Sequence, residues 1–146
     1  MPDMALPAHR VTTRVRYPET DRMGVAHHSH FTVWFELGRT ELMREIGCPY
    51  GELEDREQVY FPVVDLAVRY LRPARYDQVL EIETKLVSSR GVRVRFEYVI
   101  RDAEGSELAT GHTVHASVDK DGRPRRLSGE ARERLAAGMK GSETVG

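Results

Sequence analysis

The sequence predicts an α+β fold in which one antiparallel sheet packs against a single long helix. Apolar residues recur at helical spacing over one long stretch, most of the remaining chain alternates with a period of two, and no alternating βα pattern is present. The 146 residues, 40% hydrophobic and 31% charged, suit a globular protein with one core. We expect one domain over residues 8–137 and a flexible C-terminal tail over residues 138–146.

The composition argues against several classes of function. The formal net charge of -1 disfavours nucleic acid as a partner, because nucleic-acid-binding domains are usually basic. The single cysteine, Cys48, excludes an intramolecular disulfide, and no leader-like apolar run stands near the N-terminus, so we expect a cytoplasmic protein. No stretch approaches the roughly 20 apolar residues that cross a bilayer, so we expect no membrane span.

The long helix is predicted over residues 29–46, where large apolar residues recur every three or four positions. Ser29 is expected to cap its first turn through the hydroxyl, and Gly47 followed by Pro49 is expected to end it. The charged residues of this segment are expected on a solvated face. They are Glu36, Arg39, Glu41, Arg44 and Glu45.

Five strands are predicted from period-two alternation, one before the helix and four after it. Pro18 ends the first strand, and a loop that contains Gly24 leads into the helix. Tight turns are predicted at residues 89–91, 102–105 and 121–122, so the last four strands form a meander. The predicted strands cover residues 11–17, 59–71, 78–88, 92–100 and 108–119, with shorter helical segments at 50–58 and after 128.

A carboxylate lies in the loop before the helix, since Asp21 stands seven residues before His28 and Gly24 lets the loop double back. The first turn of a helix carries unpaired N–H groups and partial positive charge, which stabilise an oxygen that becomes negative in acyl transfer. Asp21 could therefore place a carboxylate beside a polarised substrate carbonyl. The residues alone leave the alternative of a turn residue, because Asp commonly bonds local amides after a strand.

A resemblance to a known family is carried by RYPETDRMGVAHHSHF at residues 16–31, with WFE at 34–36 and GRTE at 38–41. These motifs resemble the 4-hydroxybenzoyl-CoA thioesterase family, and within it the bacterial acyl-CoA thioesterases associated with the Tol–Pal system. The resemblance covers residues 11–127. It implies the hotdog fold, a five-stranded antiparallel sheet wrapped around one long central helix, and hydrolysis of an acyl-CoA to a free carboxylic acid and CoA.

The resemblance also implies a role for three residues. Asp21 matches the catalytic aspartate, which acts as nucleophile or as base toward water. His28 matches the position at the helix entrance whose backbone N–H would polarise the thioester oxygen, and its imidazole would orient the carboxylate. Tyr17 matches a tyrosine that lines the acyl pocket or bonds the carboxylate, with strand packing as the alternative.

The turn of Ser89, Arg90 and Gly91 matches the path of the pantetheine arm and nucleotide, and Arg90 is the expected phosphate contact. Gly24 is the fourth residue that is expected to bind the substrate. Further candidates for this contact are Arg72, Arg75 and Arg93, with solvated charge as the alternative. The resemblance implies no cofactor beyond the CoA of the substrate. It implies a homo-oligomer, a dimer or a homotetramer built as a dimer of dimers, with active sites shared between subunits.

Departures from the family pattern leave the acyl group open, since His27 stands where Tyr is frequent, and His30 with Phe31 where Asn-Tyr is common. A metal site is not expected, because adjacent histidines point in different directions and no second ligand cluster exists. One alternative function is an acyl-thioester dehydratase or hydratase that uses His28 with Asp21. The other is a non-enzymatic acyl-CoA-binding protein, which would normally need an appended partner-binding segment.

Overall fold

The computed structural model describes residues 7–140 and contains one five-stranded sheet. The strands are His9–Arg14 (β1), Val63–Tyr70 (β2), Val79–Arg90 (β3), Arg93–Asp102 (β4) and Glu107–Ala116 (β5). They are arranged in the order β1-β3-β4-β5-β2, and each neighbouring pair is antiparallel. Strand β2 therefore lies at one edge of the sheet and β1 at the other.

Helix α1, His30–Glu45, packs its apolar face against one side of this sheet. Phe35 stacks on Tyr98 of β4, with ring centroids 4.2 Å apart. Gly38 lies directly over Thr84 of β3, where a larger side chain would collide with the threonine hydroxyl. Gly47, with φ +84°, ends the helix in the left-handed conformation that glycine adopts without steric penalty. The predicted antiparallel sheet around one long helix is confirmed.

Two shorter helical segments follow α1 in the described part of the chain. Tyr50–Glu52 (α2) continues into a π-turn at Leu53–Glu57, and Gly129–Lys140 (α3) packs Gly138 against Ile46 near the end of α1. Residues 138–140, the start of the predicted tail, are helical. Residues 141–146 of that tail lie outside the described residues, as do residues 1–6.

A buried chain of hydrogen bonds connects the middle of the sheet to the segment before β2. His115 Nδ1 lies 3.0 Å from the Phe61 carbonyl oxygen. Because a carbonyl oxygen only accepts, Nδ1 carries the proton and donates this hydrogen bond. His115 Nε2 then accepts from the Thr113 hydroxyl at 2.8 Å, and Thr113 Oγ1 accepts from the Tyr98 hydroxyl at 2.5 Å. Burial lowers the pKa of His115 to about 4, which keeps the imidazole neutral as this pattern requires.

Two expectations for the long helix are wrong. The Ser29 hydroxyl does not cap α1; it lies 2.8 Å from His27 Nδ1, because Ser29 has helical angles (φ −63°, ψ −23°) instead of the extended conformation of a capping residue. Arg39 is not on a solvated face. It lies one turn after the buried Phe35, so its side chain is only 11% exposed and lies close to Tyr98.

The strand boundaries also differ from the predicted ones near the expected site. Strand β1 ends at Arg14, and Tyr17 lies in a 3-10 turn, Tyr17–Glu19, because Pro18 cannot extend the sheet ladder. Ser89 and Arg90 belong to β3, so the hairpin loop consists of Gly91 and Val92. Gly91 has φ +58°, as the first loop residue of a type II′ turn requires.

Candidate active site

Asp21 forms a tight turn in the loop between β1 and α1. Its Oδ1 accepts hydrogen bonds from the N–H of Met23 at 2.8 Å and from the N–H of Val25 at 3.2 Å. Gly24, with φ +74°, provides the left-handed residue of the turn. The side chain is exposed, and Oδ2 has no donor among the residues that the structure describes. Asp21 therefore shapes the turn through Oδ1, and its Oδ2 is left without a hydrogen-bond donor in the described residues.

The Asp21 turn is held in place by the connection between β2 and β3. The N–H of Ala26 donates to the Ala74 carbonyl at 2.7 Å, and the N–H of Tyr76 donates to the Gly24 carbonyl at 2.9 Å. Val25 and Arg75 form an isolated bridge between these two bonds. Residues 24–26 thus lie antiparallel to residues 74–76, which fixes the direction in which the turn enters α1.

The entrance of α1 presents one backbone donor without a protein partner. The N–H of His30 donates to the His27 carbonyl, and the N–H of Phe31 donates to the His28 carbonyl. The Tyr70 hydroxyl also donates to the His28 carbonyl, at 3.1 Å. Within residues 7–140, no acceptor is hydrogen-bonded to the N–H of His28. This N–H lies at the positive end of the helix dipole, where an anionic oxygen is stabilised.

The imidazole of His28 is exposed and packs among other rings. Its centroid lies 4.1 Å from that of His27, and it meets the Tyr70 ring edge to face at 6.2 Å. It makes no hydrogen bond with Asp21 in the described part of the chain. The N–H of His28 is therefore left without an acceptor in the described residues, whereas the expected orienting role of the His28 imidazole for the carboxylate has no hydrogen bond to support it.

Tyr17 lies near the Asp21 turn but does not bond it. Its side chain is 75% exposed and packs edge to face on Tyr76, with centroids 5.9 Å apart. Its backbone carbonyl accepts bonds from the N–H and hydroxyl of Thr20. Packing within a strand, the alternative for this residue, is not observed. A pocket-lining role stays a prediction.

An open cleft of about 340 Å³ lies beside the helix entrance. Phe31 and Tyr70 meet edge to face in its wall, with centroids 5.1 Å apart. Tyr70 and Leu71, at the end of edge strand β2, are each 47% exposed. The complete lining consists of Ala26, His28, Phe31, Tyr70, Leu71, Arg72 and Pro73. The cleft therefore has room for a mostly apolar group beside His28.

Arg90 lies at the opposite end of the sheet from Asp21. Val79, the first residue of β3, pairs with Arg14 near the Asp21 turn, and Arg90 is the last residue of β3. The strand has 12 residues, so at about 3.3 Å per residue its ends lie roughly 36 Å apart. Within one chain, the predicted CoA contacts Ser89, Arg90 and Gly91 are not brought together with Asp21.

Further cations lie at the Arg90 end of the sheet, and the sequence analysis missed them. The N–H of Ser117 donates to the Val92 carbonyl at 2.6 Å, and the N–H of Arg125 donates to the Ser117 carbonyl at 2.9 Å. The signal is the basic run KDGRPRR at residues 120–126, of which the sequence expectations include only the turn at residues 120–122. Its exposed cations are Lys120, Arg123, Arg125 and Arg126.

The three histidines around the helix entrance do not form a metal site of their own. Among residues 7–140, no three His, Cys, Asp or Glu side chains converge closely enough to hold a metal ion. The Nδ1 atom of His27 is occupied by the Ser29 hydroxyl. No helix in the described residues combines the length and the apolar character needed to cross a membrane.

Comparison with known proteins places this geometry in a family. The model of the thioesterase-like superfamily matches residues 15–139. The putative acyl-CoA thioesterase YneP of Bacillus subtilis is 34% identical over 107 residues, 73% of this chain and 77% of its own length. The acyl-CoA thioester hydrolase YbgC of Escherichia coli O6:H1 is 36% identical over 110 residues, 75% of this chain and 81% of its own.

A solved structure agrees with these relatives. The DHNA-CoA thioesterase of Staphylococcus aureus superposes with a TM-score of 0.85 at 25% identity, and 94% of each chain is covered. The hotdog fold that the residue 16–31 motif implied is thus confirmed by the five-stranded sheet, by α1 and by the superposition. The matched region contains the Asp21 turn, α1 and the cleft, and the chain therefore belongs to the thioesterase-like superfamily.

Proposed function

We propose that the protein hydrolyses acyl-CoA thioesters to a free carboxylic acid and CoA, with Asp21 and the backbone of His28 as its catalytic groups. The relatives named as acyl-CoA thioesterases support the reaction and the substrate class. The observation that carries the assignment of the site is the free Oδ2 of Asp21 in a turn that leads directly to the unpartnered N–H of His28.

The N–H of His28 binds the thioester carbonyl oxygen in this mechanism. Negative charge develops on that oxygen as the carbonyl carbon becomes tetrahedral, and the dipole of α1 reinforces the donor. The hydrogen bond from the Tyr70 hydroxyl to the His28 carbonyl holds the peptide group between His28 and Ser29. The donor is therefore oriented before the substrate binds, so no reorganisation is needed during the reaction.

Asp21 then acts through the oxygen that the turn leaves free. As a nucleophile, Oδ2 attacks the carbonyl carbon, a mixed anhydride forms, and CoA leaves as a thiolate that takes a proton from solvent. Water next hydrolyses the anhydride and regenerates the carboxylate. As a base, Oδ2 instead takes a proton from the attacking water, and the same two products form. Both routes need only this side chain and water, so the proposal includes no cofactor.

The phosphates of CoA are proposed to bind Arg90 and the cations of residues 120–126 of a second copy. Arg90 is too far from Asp21 to reach the same CoA within one chain. Strand β2 has a free edge with exposed apolar side chains, 41–49% exposed at Val63, Val64, Leu66 and Tyr70. Antiparallel pairing of two β2 edges would place the cleft of one chain beside the Arg90 end of the other.

The proposal therefore includes a homo-oligomer, with a dimer as the smallest unit that completes a site and a dimer of dimers as the larger form. A cytoplasmic location is part of it as well, supported by the single cysteine of the chain. The dehydratase alternative needs an imidazole acting together with a carboxylate. The described chain has no hydrogen bond between His28 and Asp21, so we favour hydrolysis.

Thiol release from a panel of acyl-CoAs tests this function. Aromatic, short-chain and long-chain acyl-CoAs, together with a 3-hydroxyacyl-CoA that a dehydratase could convert, are incubated with the protein while free thiol and the absorbance of an enoyl product are recorded together. We expect equimolar thiol and carboxylic acid from at least one class, without an enoyl signal. Formation of an enoyl-CoA without thiol would favour the dehydratase, and tight binding without either product would favour an acyl-CoA-binding protein.

A further inference from the structure

Strand β2 ends in a bulge that brings Arg72 to the cleft. The N–H groups of Leu71 and Arg72 both donate to the Leu108 carbonyl, at 2.8 and 3.1 Å. Two successive residues thus oppose one residue of β5, which is the pattern of a β-bulge. A bulge interrupts the alternation of side chains between the two faces of a strand, and Leu71 and Arg72 both line the cleft. The end of the sheet therefore directs this arginine to the candidate site.

The pairing of the neighbouring segments sets Arg72 beside His28. The isolated bridge between Val25 and Arg75 is antiparallel. Continued to His28, the same register reaches Arg72, and both of these residues line the cleft. Opposite residues of an antiparallel pair have their Cα atoms about 4.5–5.5 Å apart. A short acyl chain therefore spans the distance from a carbonyl on the N–H of His28 to the Arg72 guanidinium.

The Arg72 guanidinium is exposed and has no partner in the described chain. Within residues 7–140 it makes neither a hydrogen bond nor an ion pair, whereas Arg14 at the end of β1 is paired with Asp77 at 3.4 Å. The described residues that line the cleft include no acidic side chain. An apolar acyl group that filled the cleft would displace water from an unpaired cation, which costs free energy. A carboxylate on the acyl group removes this cost, because it pairs with a guanidinium through two parallel hydrogen bonds.

We propose that Arg72 makes the protein selective for acyl groups that end in a second carboxylate, remote from the thioester. The inference rests on the proposed function and specifies its substrate class, the CoA thioesters of short dicarboxylic acids. The methylene chain of such a substrate lies against the rings of Phe31 and Tyr70, which meet in the cleft wall. Its distal carboxylate pairs with Arg72, and hydrolysis releases a dicarboxylic acid and CoA. Arg72 thus binds the acyl group and not the phosphates of CoA.

Matched pairs of acyl-CoAs test this selectivity. Glutaryl-CoA and adipyl-CoA are compared with their monomethyl esters, which have nearly the same chain without the charge, and spontaneous hydrolysis is subtracted. For at least one pair, we expect kcat/KM for thiol release to be about tenfold or more higher with the free carboxylate, the scale of a hydrogen bond to a charged group. Ratios near one in both pairs would overturn the selectivity and leave the thioesterase intact. Absence of thiol release from every acyl-CoA would instead overturn the proposed function.

Substitutions at Arg72 assign the effect to its guanidinium. Arg72→Gln removes the charge, so the ratio should fall to about one through a higher KM for the carboxylate-ended substrate. Arg72→Glu reverses the charge and should shift the preference to aminohexanoyl-CoA, whose acyl group ends in an ammonium group. Arg75→Gln is the matched control, because it removes the same charge from an exposed arginine outside the cleft lining. This control should keep the wild-type ratio.

The same variants separate this role from a contact with the phosphates of CoA. A phosphate contact would make Arg72→Gln raise KM for every acyl-CoA by the same factor, so the ratio would stay at its wild-type value. That result would overturn the proposal. The Tm of each variant is measured beside its activity. Arg72→Lys retains the charge without the planar fork, so its ratio should lie between those of the wild type and Arg72→Gln, and it replaces the Gln variant if that protein does not fold.

Discussion

Among residues 7–140, three aspartates form nearly the same turn, and one of these three turns leads into a helix entrance. In each, Oδ1 accepts hydrogen bonds from the N–H groups two and four residues later. The distances are 2.8 and 3.2 Å at Asp21, 3.0 and 2.9 Å at Asp102, and 2.9 and 3.0 Å at Asp119. A glycine with positive φ follows three residues after each, at Gly24, Gly105 and Gly122.

The three turns differ in what surrounds them. The Asp102 turn joins β4 to β5, and the Asp119 turn follows β5 on the exposed surface. The Asp21 turn is instead bonded to residues 74–76 and leads to the free N–H of His28. Local geometry thus explains how an aspartate shapes a turn, whereas tertiary position decides which part of the molecule its second oxygen is near.

The strongest test of this comparison is the substitution Asp21→Asn. The amide oxygen of Asn keeps both turn hydrogen bonds, but the side chain loses its charge and basicity. We expect kcat for thioester hydrolysis to fall about 100-fold or more, with KM and Tm little changed. Single-turnover release of CoA thiol measures the chemical step. Turnover within a few-fold of the wild type would remove Asp21 from the mechanism.

The second largest effect is expected at a turn that has no aspartate, the hairpin after Arg90. Arg90→Ala should raise KM about tenfold with a smaller change in kcat, because a phosphate contact far from the carbonyl binds ground and transition states alike. High salt should weaken wild-type binding in the same way. Equal KM values for variant and wild type at low ionic strength would exclude Arg90 from the CoA site.

A matched pair of glycine substitutions separates backbone strain from function. Gly24→Ala and Gly122→Ala both force a side chain into the left-handed region, and each should cost about 1 kcal/mol of folding free energy. Only Gly24→Ala should also lower kcat, by several-fold, because it displaces the Asp21 carboxylate. Denaturant unfolding and thiol release are measured on both proteins. Equal activity losses in the two variants would contradict a special role for the Asp21 turn.

The smallest effect is expected at Asp102. Asp102→Asn keeps the turn bonds, so activity and Tm should match the wild type. Asp102→Ala loses both bonds, and its Tm should fall by about 2–5 °C without any change in kcat or KM. Differential scanning calorimetry with the thiol assay checks both. A loss of activity in either variant would mean that the hairpin between β4 and β5 reaches an active site.

Much of the fold follows from local patterns, because period and turn chemistry act over a few residues. The apolar spacing of α1, the glycine that ends it and the β3–β4–β5 meander are predicted correctly. The expected place of β2 at the start of that meander is wrong, because β2 pairs with β5 at the edge of the sheet and not with β3. Arg39 is not predicted correctly either, because a charged side chain is expected to be exposed as that of Glu36 is, and only the packing of α1 near Tyr98 shows that the Arg39 side chain is largely covered. Position on a helical face predicts burial better than charge does there.

The candidate site, like the fold, is predicted from the sequence only in part. The motif at residues 16–31 identifies Asp21 and His28, and the structure brings their loop and helix entrance together. It does not bring Arg90 to them, because β3 carries that residue to the other end of the sheet. A sequence pattern has no information on this distance, since the strand register of β3 against β1 and β4 sets it.

The sequence by itself determined that this protein has one long apolar helix, five alternating strands, turns at residues 102–105 and 121–122, and a thioesterase-like motif ahead of the helix. These features depend on residues close together in the chain. The tertiary structure alone decided which aspartate turn meets a helix entrance and which strand edge stays open. The physical reason is that both depend on hydrogen bonds between distant segments, such as residues 24–26 with 74–76, which exist only once the sheet has formed.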